Sequence, residues 1–212
     1  MRSRKAVRES GLRYAVPLSS YGAHVPEGTG PVTGLPSSEQ KLNAIGGLKV
    51  LHLRAACFME NNLAAISMIQ EMGIFGHAPL PDLNLPMTAT PDVGHYAAQR
   101  LLELDFSGKQ TGELLGERDL SMAEATAIVA RGVGKPDLRY VQFSYDQVQQ
   151  VLEQMGMPPK KAAVYIEMFK AINTGVLAAQ ERLSRENITP TSFEKFVQDV
   201  FAPAYHGKAS VA

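Results

Sequence analysis

The stretch Leu48–Asn62, LKVLHLRAACFMENN, decides the fold, because it sets a buried strand, a turn and a polar helix start side by side. Leu48, Val50, His52 and Arg54 alternate with Lys49, Leu51 and Leu53, and the run ends in Ala55 and Ala56. Apolar residues on both sets fit a strand covered on both faces, as in a parallel sheet, better than a hairpin strand. The carboxyl end of such a strand is where α/β proteins place ligands. Cys57, Phe58 and Met59 follow, and Glu60, Asn61 and Asn62 are residues able to cap a helix marked by Leu63, Ile66, Ile69 and Met72. Strand, short loop and capped helix are half of an α/β unit. Taken alone, these residues also read as core plus cap, since most such junctions bind nothing.

Working back from this stretch, Ser37 or Ser38 is expected to cap a helix through Glu39, Leu42 and Ile45 that stops at Gly46 and Gly47. Tyr21–Leu35 is a glycine- and proline-rich loop, expected to be a mobile active-site or surface loop. Its glycines, Gly28, Gly30 and Gly34, are not at phosphate-loop spacing, and Pro26 and Pro31 stand where a strand and a helix would be needed. Before it, Arg2–Ser10 reads as a helix closed by Gly11, and Leu12–Leu18 as a strand running into Ser19 and Ser20. Pro17 removes a ladder donor, so it belongs near the strand's end or the strand is not central.

Working forward, a proline-rich passage leads to a short strand at Leu85–Ala89. A helix follows, capped by Thr90, with Val93, Ala97, Leu101 and Leu104 on its apolar stripe. Thr111–Leu115 is another short strand, Ser121 caps a helix over Met122–Gly132, and Leu138–Phe143 is a last strand. From Tyr145 the chain is helical in character. Val148, Val151, Leu152 and Met155 form one stripe, and Val164, Met168, Ile172 and Leu177 another. Phe193, Phe196, Val197 and Val200 share a face of the final helix, and the tail from Gly207 is loose.

A chain of 212 residues with 45% hydrophobic content buries one good core, or one core with an appendage. Lysine plus arginine and aspartate plus glutamate are equal at 21 each, so no net field favours nucleic acid or an acidic membrane. No apolar run approaches the roughly 20 residues that span a bilayer. The single cysteine, Cys57, excludes an internal disulfide framework and fits a reducing, cytoplasmic compartment. Cys57 sits near a helix start whose dipole could lower a thiol pKa, but with no basic neighbour in sequence it reads as buried and inert. The five histidines, His24, His52, His77, His95 and His206, lack metal-ligand spacing, so no metal site is expected.

The ordered blocks SGLRYAVPLSS, EQKLNAIGGLKVLHLR, FMEN, ATPDVG with YAAQRLL, and SGKQTGELLG together resemble the later two-thirds of the NmrA-like proteins. These belong to the atypical short-chain dehydrogenase/reductase group. The resemblance implies an α/β fold: a partial, Rossmann-like parallel sheet made of the later strands only, with a mostly helical carboxyl-terminal lobe. Residues 1–110 would form the carboxyl half of the NAD(P)-binding domain, and 111–212 a smaller α-rich lobe interleaved with it. It implies NADP or NAD as cofactor, with Ser19 and Ser20 facing the nicotinamide and Ala55, Ala56, Cys57, Phe58, Met59 and Glu60 touching the cofactor from the other side. Asn61 belongs to the family's EN pair, whereas Ala55 and Ala56 replace a more usual proline-glycine pair.

Two departures qualify this expectation. The glycine-rich turn that would cradle a pyrophosphate is not in the sequence, as though roughly 100 residues of a Rossmann unit preceded the first helix. No tyrosine has a lysine four residues on, the pair that donates a proton in classical members, and aligned through Glu39 those positions fall on Pro31 and Leu35. No catalytic residue is therefore assigned. The expected function is an NAD(P)H-dependent oxidoreductase-like protein with a quinone- or azo-type acceptor. The alternatives are a non-catalytic dinucleotide sensor or a truncated, non-binding remnant. An exposed sheet edge would favour self-association.

Overall fold

The computed structural model describes residues 2–207. In chain order its first elements are α1 (Arg2–Glu9), β1 (Tyr14–Ala15), β2 (Leu18–Ser20), α2 (Gly34–Asn43), β3 (Lys49–Ala55), β4 (Cys57–Phe58), α3 (Ile66–Met72) and β5 (Ile74–His77). Then come β6 (Leu85–Thr88), α4 (Thr90–Glu103), β7 (Lys109–Leu114), β8 (Asp119–Leu120), α5 (Met122–Val133) and β9 (Arg139–Gln142). After β9 come α6 (Tyr145–Gln154), α7 (Pro159–Asn173), α8 (Phe193–Phe196), a π-turn (Val197–Phe201) and α9 (Ala202–Tyr205). The loose tail expected beyond Gly207 lies outside the described residues.

β3 is the centre of a parallel sheet, with β1 and β2 on one edge and β7 on the other. Its alternation separates two environments. Leu48 and Val50 pack with Ile45 and Leu42 on the α2 side, where His52 and Arg54 also find partners. Leu53 and Ala55 pack with Val93 of α4 and Leu114 of β7 on the opposite side. The two-sided burial expected of this strand is what the structure shows.

Tyr14 pairs with Lys49 and Leu18 with Leu53, so β1 and β2 are one strand in continuous register. Pro17 divides it mid-length, not at its end. Having no N–H, it breaks the ladder, although its carbonyl still accepts from Leu53 N at 3.0 Å. Among the described residues this strand pairs only with β3, the edge placement a strand proline requires.

Beyond Ala55 the strands leave the central sheet. β4, β6 and β8 form one small sheet, and β5 and β9 another. β4, β5 and β8 have no counterpart in the sequence reading: β4 and β8 are only two residues long, and β5 contains Gly76 and runs straight into a proline-rich passage. Several expected caps are also corrected. Ser37 and Ser38 lie inside α2, which begins at Gly34 with no side-chain cap, and Ser38 Oγ instead donates to Gly34 O at 3.1 Å. Glu60, Asn61 and Asn62 lie within a 3-10 turn (Met59–Ala65) and do not cap it; α3 starts only at Ile66. Thr90 is the first residue of α4 and not its cap, and its hydroxyl donates to Glu60 Oε1 at 2.6 Å. Ser121 does cap α5, in a reciprocal box with Glu124.

Some expected stripes are exposed at their ends: Met72, Leu101, Leu104, Met155 and Val164 face outward. The segment between Thr174 and Thr191 is irregular, so the carboxyl lobe is helix, loop and helix. The loop Tyr21–Leu35 is not free. Tyr21, Ala23, Thr29 and Gly30 are buried, and Gly30, in the left-handed region at φ 61°, donates its N–H to Glu167 of α7 at 3.1 Å. A Cβ at Gly30 would lie 2.2 Å from the Val164 carbonyl oxygen, so only glycine permits this docking.

Candidate functional site

β2 and β3 end side by side at Ser20 and Ala55, and the chain beyond each strand turns away from the sheet. Such a divergence at the carboxyl ends of parallel strands opens a crevice. Here it is a cavity of about 510 Å³. One wall comes from Ser19, Ser20, Ala55, Ala56, Cys57 and Phe58, and the facing wall from Val32, Leu35 and the α7 residues Tyr165, Met168 and Phe169. His77 at the end of β5, Met87 of β6 and the Asn61–Asn62 pair complete it. No lysine, arginine, aspartate or glutamate lines it among the described residues.

Of the sequence-predicted site residues, Ser19, Ser20, Ala55, Ala56, Cys57 and Phe58 come together here. Met59 and Glu60 do not reach the cavity. Met59 is buried in the core, and Glu60 Oε1 accepts hydrogen bonds from Thr90 N and Oγ1. Ser19 is already engaged, its Oγ donating to Glu39 Oε1 at 2.6 Å.

Beneath the cavity that bond joins a buried network. Arg54 clamps Glu39 through Nε at 3.0 Å and Nη2 at 2.7 Å, and its Nη1 donates to Gln180 Oε1 at 3.1 Å. Glu113 Oε2 in turn accepts from the backbone N–H groups of Gln180 and Glu181, each at 2.9 Å. Burial pushes the Glu39 carboxyl up, but hydrogen bonds from Arg54 and Ser19 and the nearby positive charge outweigh it and hold the group below the usual carboxylate range. The network pins the sheet's end to the loop from the helical lobe.

Three titratable groups of the cavity, Tyr21, Cys57 and His77, stay neutral. The Tyr21 hydroxyl lies 3.8 Å from Cys57 Sγ; burial pushes both groups up, with Cys57 adding to the rise at Tyr21. Burial outweighs any helix-start effect on Cys57, so it is not a thiolate nucleophile. His77 is held down to about 4 by burial, and its Nδ1 accepts from Ala78 N at 2.8 Å. Sequence reasoning passed over His77, Tyr21, Tyr165 and Phe169. The available signal was His77 itself, a polar residue ending the short apolar run Ile74–Phe75 before a proline-rich turn.

No residues here cradle a pyrophosphate: among the described residues no glycine-rich turn leads from a parallel strand into a helix at the cavity. The nicotinamide end fits better. Ser20, Ala55 and Ala56 are small enough to let a flat ring approach the strand ends, and Phe58 and Met87 give it an apolar side. Among the described residues no group of three or more His, Cys, Asp and Glu side chains is placed to hold a metal ion, and no helix is long and apolar enough to cross a membrane.

No family model matches the chain. Among curated proteins it is similar to the NAD(P)H azoreductase of Xenophilus azovorans, at 26% identity over 164 residues, covering 77% of this chain and 56% of that protein. The chain thus spans just over half the length of that relative. Among solved structures it is similar to the NADPH-dependent quinone oxidoreductase of Escherichia coli, with a TM-score of 0.79 at 20% identity, covering 93% of this chain and 71% of that one. It is also similar to NmrA, a negative transcriptional regulator solved in complex with NAD, with a TM-score of 0.66 at 16% identity, covering 96% and 69%. The class these likenesses define is an α/β, Rossmann-like fold. Within it, the chain has the fold of NmrA and of the NmrA-like reductases.

Proposed function

We propose that this chain supplies the acceptor cavity and the nicotinamide-side wall of an NAD(P)H-dependent oxidoreductase of the NmrA-like family, acting on a quinone- or azo-type acceptor. The observation that carries this reading is the uncharged, aromatic-lined cavity of about 510 Å³ at the carboxyl ends of β2 and β3. A cavity of this size suits a ring the size of a quinone beside a nicotinamide. Its lack of charge suits a neutral acceptor. The azoreductase and quinone oxidoreductase likenesses support the same chemistry. Ser20, Ala55, Ala56, Cys57 and Phe58 are the proposed contacts to the cofactor, with Ser19 held behind them by Glu39. The two-lobe organisation, 1–110 and 111–212, goes with this reading, and the division falls inside β7.

When bound, the dinucleotide would supply the hydride. The protein's own contribution is to position the acceptor and exclude water. The α7 side chains and the docked loop close over the strand ends, and none of the lining groups brings a charge that would hold solvent. The Cys57 thiol and Tyr21 hydroxyl keep their protons at neutral pH. Titration of the purified 212-residue chain with NADPH, followed by quinone-dependent NADPH oxidation, tests the reading. Saturable binding with turnover is expected, and unchanged NADPH fluorescence at millimolar concentration would reject it for this polypeptide.

A second reading is favoured by one observation, the absence of any tyrosine with lysine four residues on. It is a dinucleotide-sensing protein that does no chemistry. It predicts NADPH binding with no acceptor-dependent oxidation, so the same experiment separates the two.

A further inference from the structure

We infer that His77 is the hydrogen-bond donor that orients the acceptor in this cavity, presenting Nε2–H to a carbonyl oxygen or azo nitrogen of a neutral aromatic ring. This rests on the reading that the cavity holds the acceptor, and goes beyond it in naming the residue and the ligand atom.

The argument begins with the backbone. Ala78 N donates to His77 Nδ1 at 2.8 Å, and a nitrogen that accepts carries no proton. The neutral ring must therefore hold its single hydrogen on Nε2, a tautomer set by the fold. The ring plane is fixed as well, by an edge-to-face contact with Phe169 whose centroids are 5.2 Å apart at 86°. Among the described residues Nε2 has no hydrogen-bond partner, and His77 forms part of the cavity wall. Burial keeps the imidazole neutral at physiological pH, so it offers one donor and no charge.

The surroundings select what can accept that hydrogen. The cavity is lined by Tyr21, Phe58, Tyr165 and Phe169 and by no charged side chain among the described residues. A carboxylate or sulfonate would lose its hydration there with no cation to replace it. A flat, uncharged ring with a carbonyl or azo acceptor would stack on the aromatic side chains and satisfy Nε2–H. A plain hydrocarbon of the same shape would fill the space and leave that donor unmet.

The test compares duroquinone with durene, which share a tetramethylated six-membered ring and differ in the two carbonyl oxygens. Full methylation also blocks addition of a thiol. Dissociation constants would be measured by ligand-observed NMR on the full chain and on His77→Asn, whose shorter side chain can still accept from Ala78 N but cannot reach into the cavity. The wild type is expected to prefer duroquinone by about three- to tenfold over durene. His77→Asn should erase that preference, read as the ratio of the two dissociation constants, since the altered wall changes the fit of both ligands alike. Equal affinity for the two ligands in the wild type, or a preference that survives in His77→Asn, would overturn the role of His77 and leave the acceptor cavity standing. If the wild type binds neither, the acceptor reading falls and this inference with it. A readout that needs no variant is the imidazole ¹⁵N spectrum: duroquinone should shift Nε2 and durene should not, and identical responses would count against the proposal.

Discussion

Glu39 and Arg54 are the residues whose pairing the sequence hides most completely. Glu39 reads as one more polar residue on an amphipathic helix, and Arg54 as the polar end of a strand. Their side chains are each 10% exposed and joined by two hydrogen bonds. Removing one partner leaves the other charge buried and unmatched, so Glu39→Gln is expected to lower stability by about 3–5 kcal/mol in chemical denaturation. Because the Glu39 pKa is depressed in the folded state, its contribution is present above the unfolded carboxylate pKa. It is lost as pH falls through the folded value. His77 acts in a different window. Its pKa falls from 6.5 to about 4 on folding, so between those values the unfolded chain binds the extra proton. Stability should therefore drop as pH is lowered from 6.5 toward 4, by at most about 1.4 kcal/mol per pH unit. His77→Asn should flatten that part of the curve; an unaltered pH profile would show that His77 is not the titrating group. Ser20, Ala55 and Ala56 were named through the family resemblance, and they line the cavity because they end strands. His77 was not, because Gly76 and the prolines that follow make β5 read as loop.

At the scale of elements, local chemistry predicted type better than boundary. β3 was plain from its alternation, and α5 from the Ser121 cap ahead of Met122. Caps failed wherever the polar residue found a partner elsewhere: Glu60 with Thr90, Ser38 with Gly34. The difference is measurable. Ser121→Ala is expected to cost about 1 kcal/mol through the lost N-cap, whereas Ser37→Ala, exposed inside α2, should change thermal stability little. A comparable loss at both sites would mean that Ser37 caps after all. The docked loop offers a sharper comparison. Gly30→Ala must push the Val164 carbonyl away, so it should loosen the α7 wall and weaken duroquinone binding. Gly28→Ala, with open space around its Cβ, should strain only its own backbone.

For the molecule as a whole, the α/β class and the parallel character of the central sheet followed from the sequence, but the strand order, the two smaller sheets and the cavity did not. Each pairing in the smaller sheets joins a strand with a local signature to one without, such as Tyr140 of β9 with Phe75 of β5. One edge of the central sheet, the strand holding Tyr14–Ala15 and Leu18–Ser20, has no second neighbour among the described residues. Leu18 on it is 57% exposed beside an apolar hollow lined by Val16, Phe58, Val93 and Ala97. Self-association through this edge is the expected result, and Leu18→Lys should shift size-exclusion profiles toward the monomer; a wild type that is monomeric at all concentrations would refute it. The bond between Gly30 and Glu167 spans 137 residues of chain. Ribosomal synthesis delivers residues in order, so the cavity has no second wall until α7 has emerged, long after its first wall is made. Closure entropy makes such distant contacts slow to form. Ligand binding should accordingly be the last property to recover on refolding, lagging behind the return of helical signal.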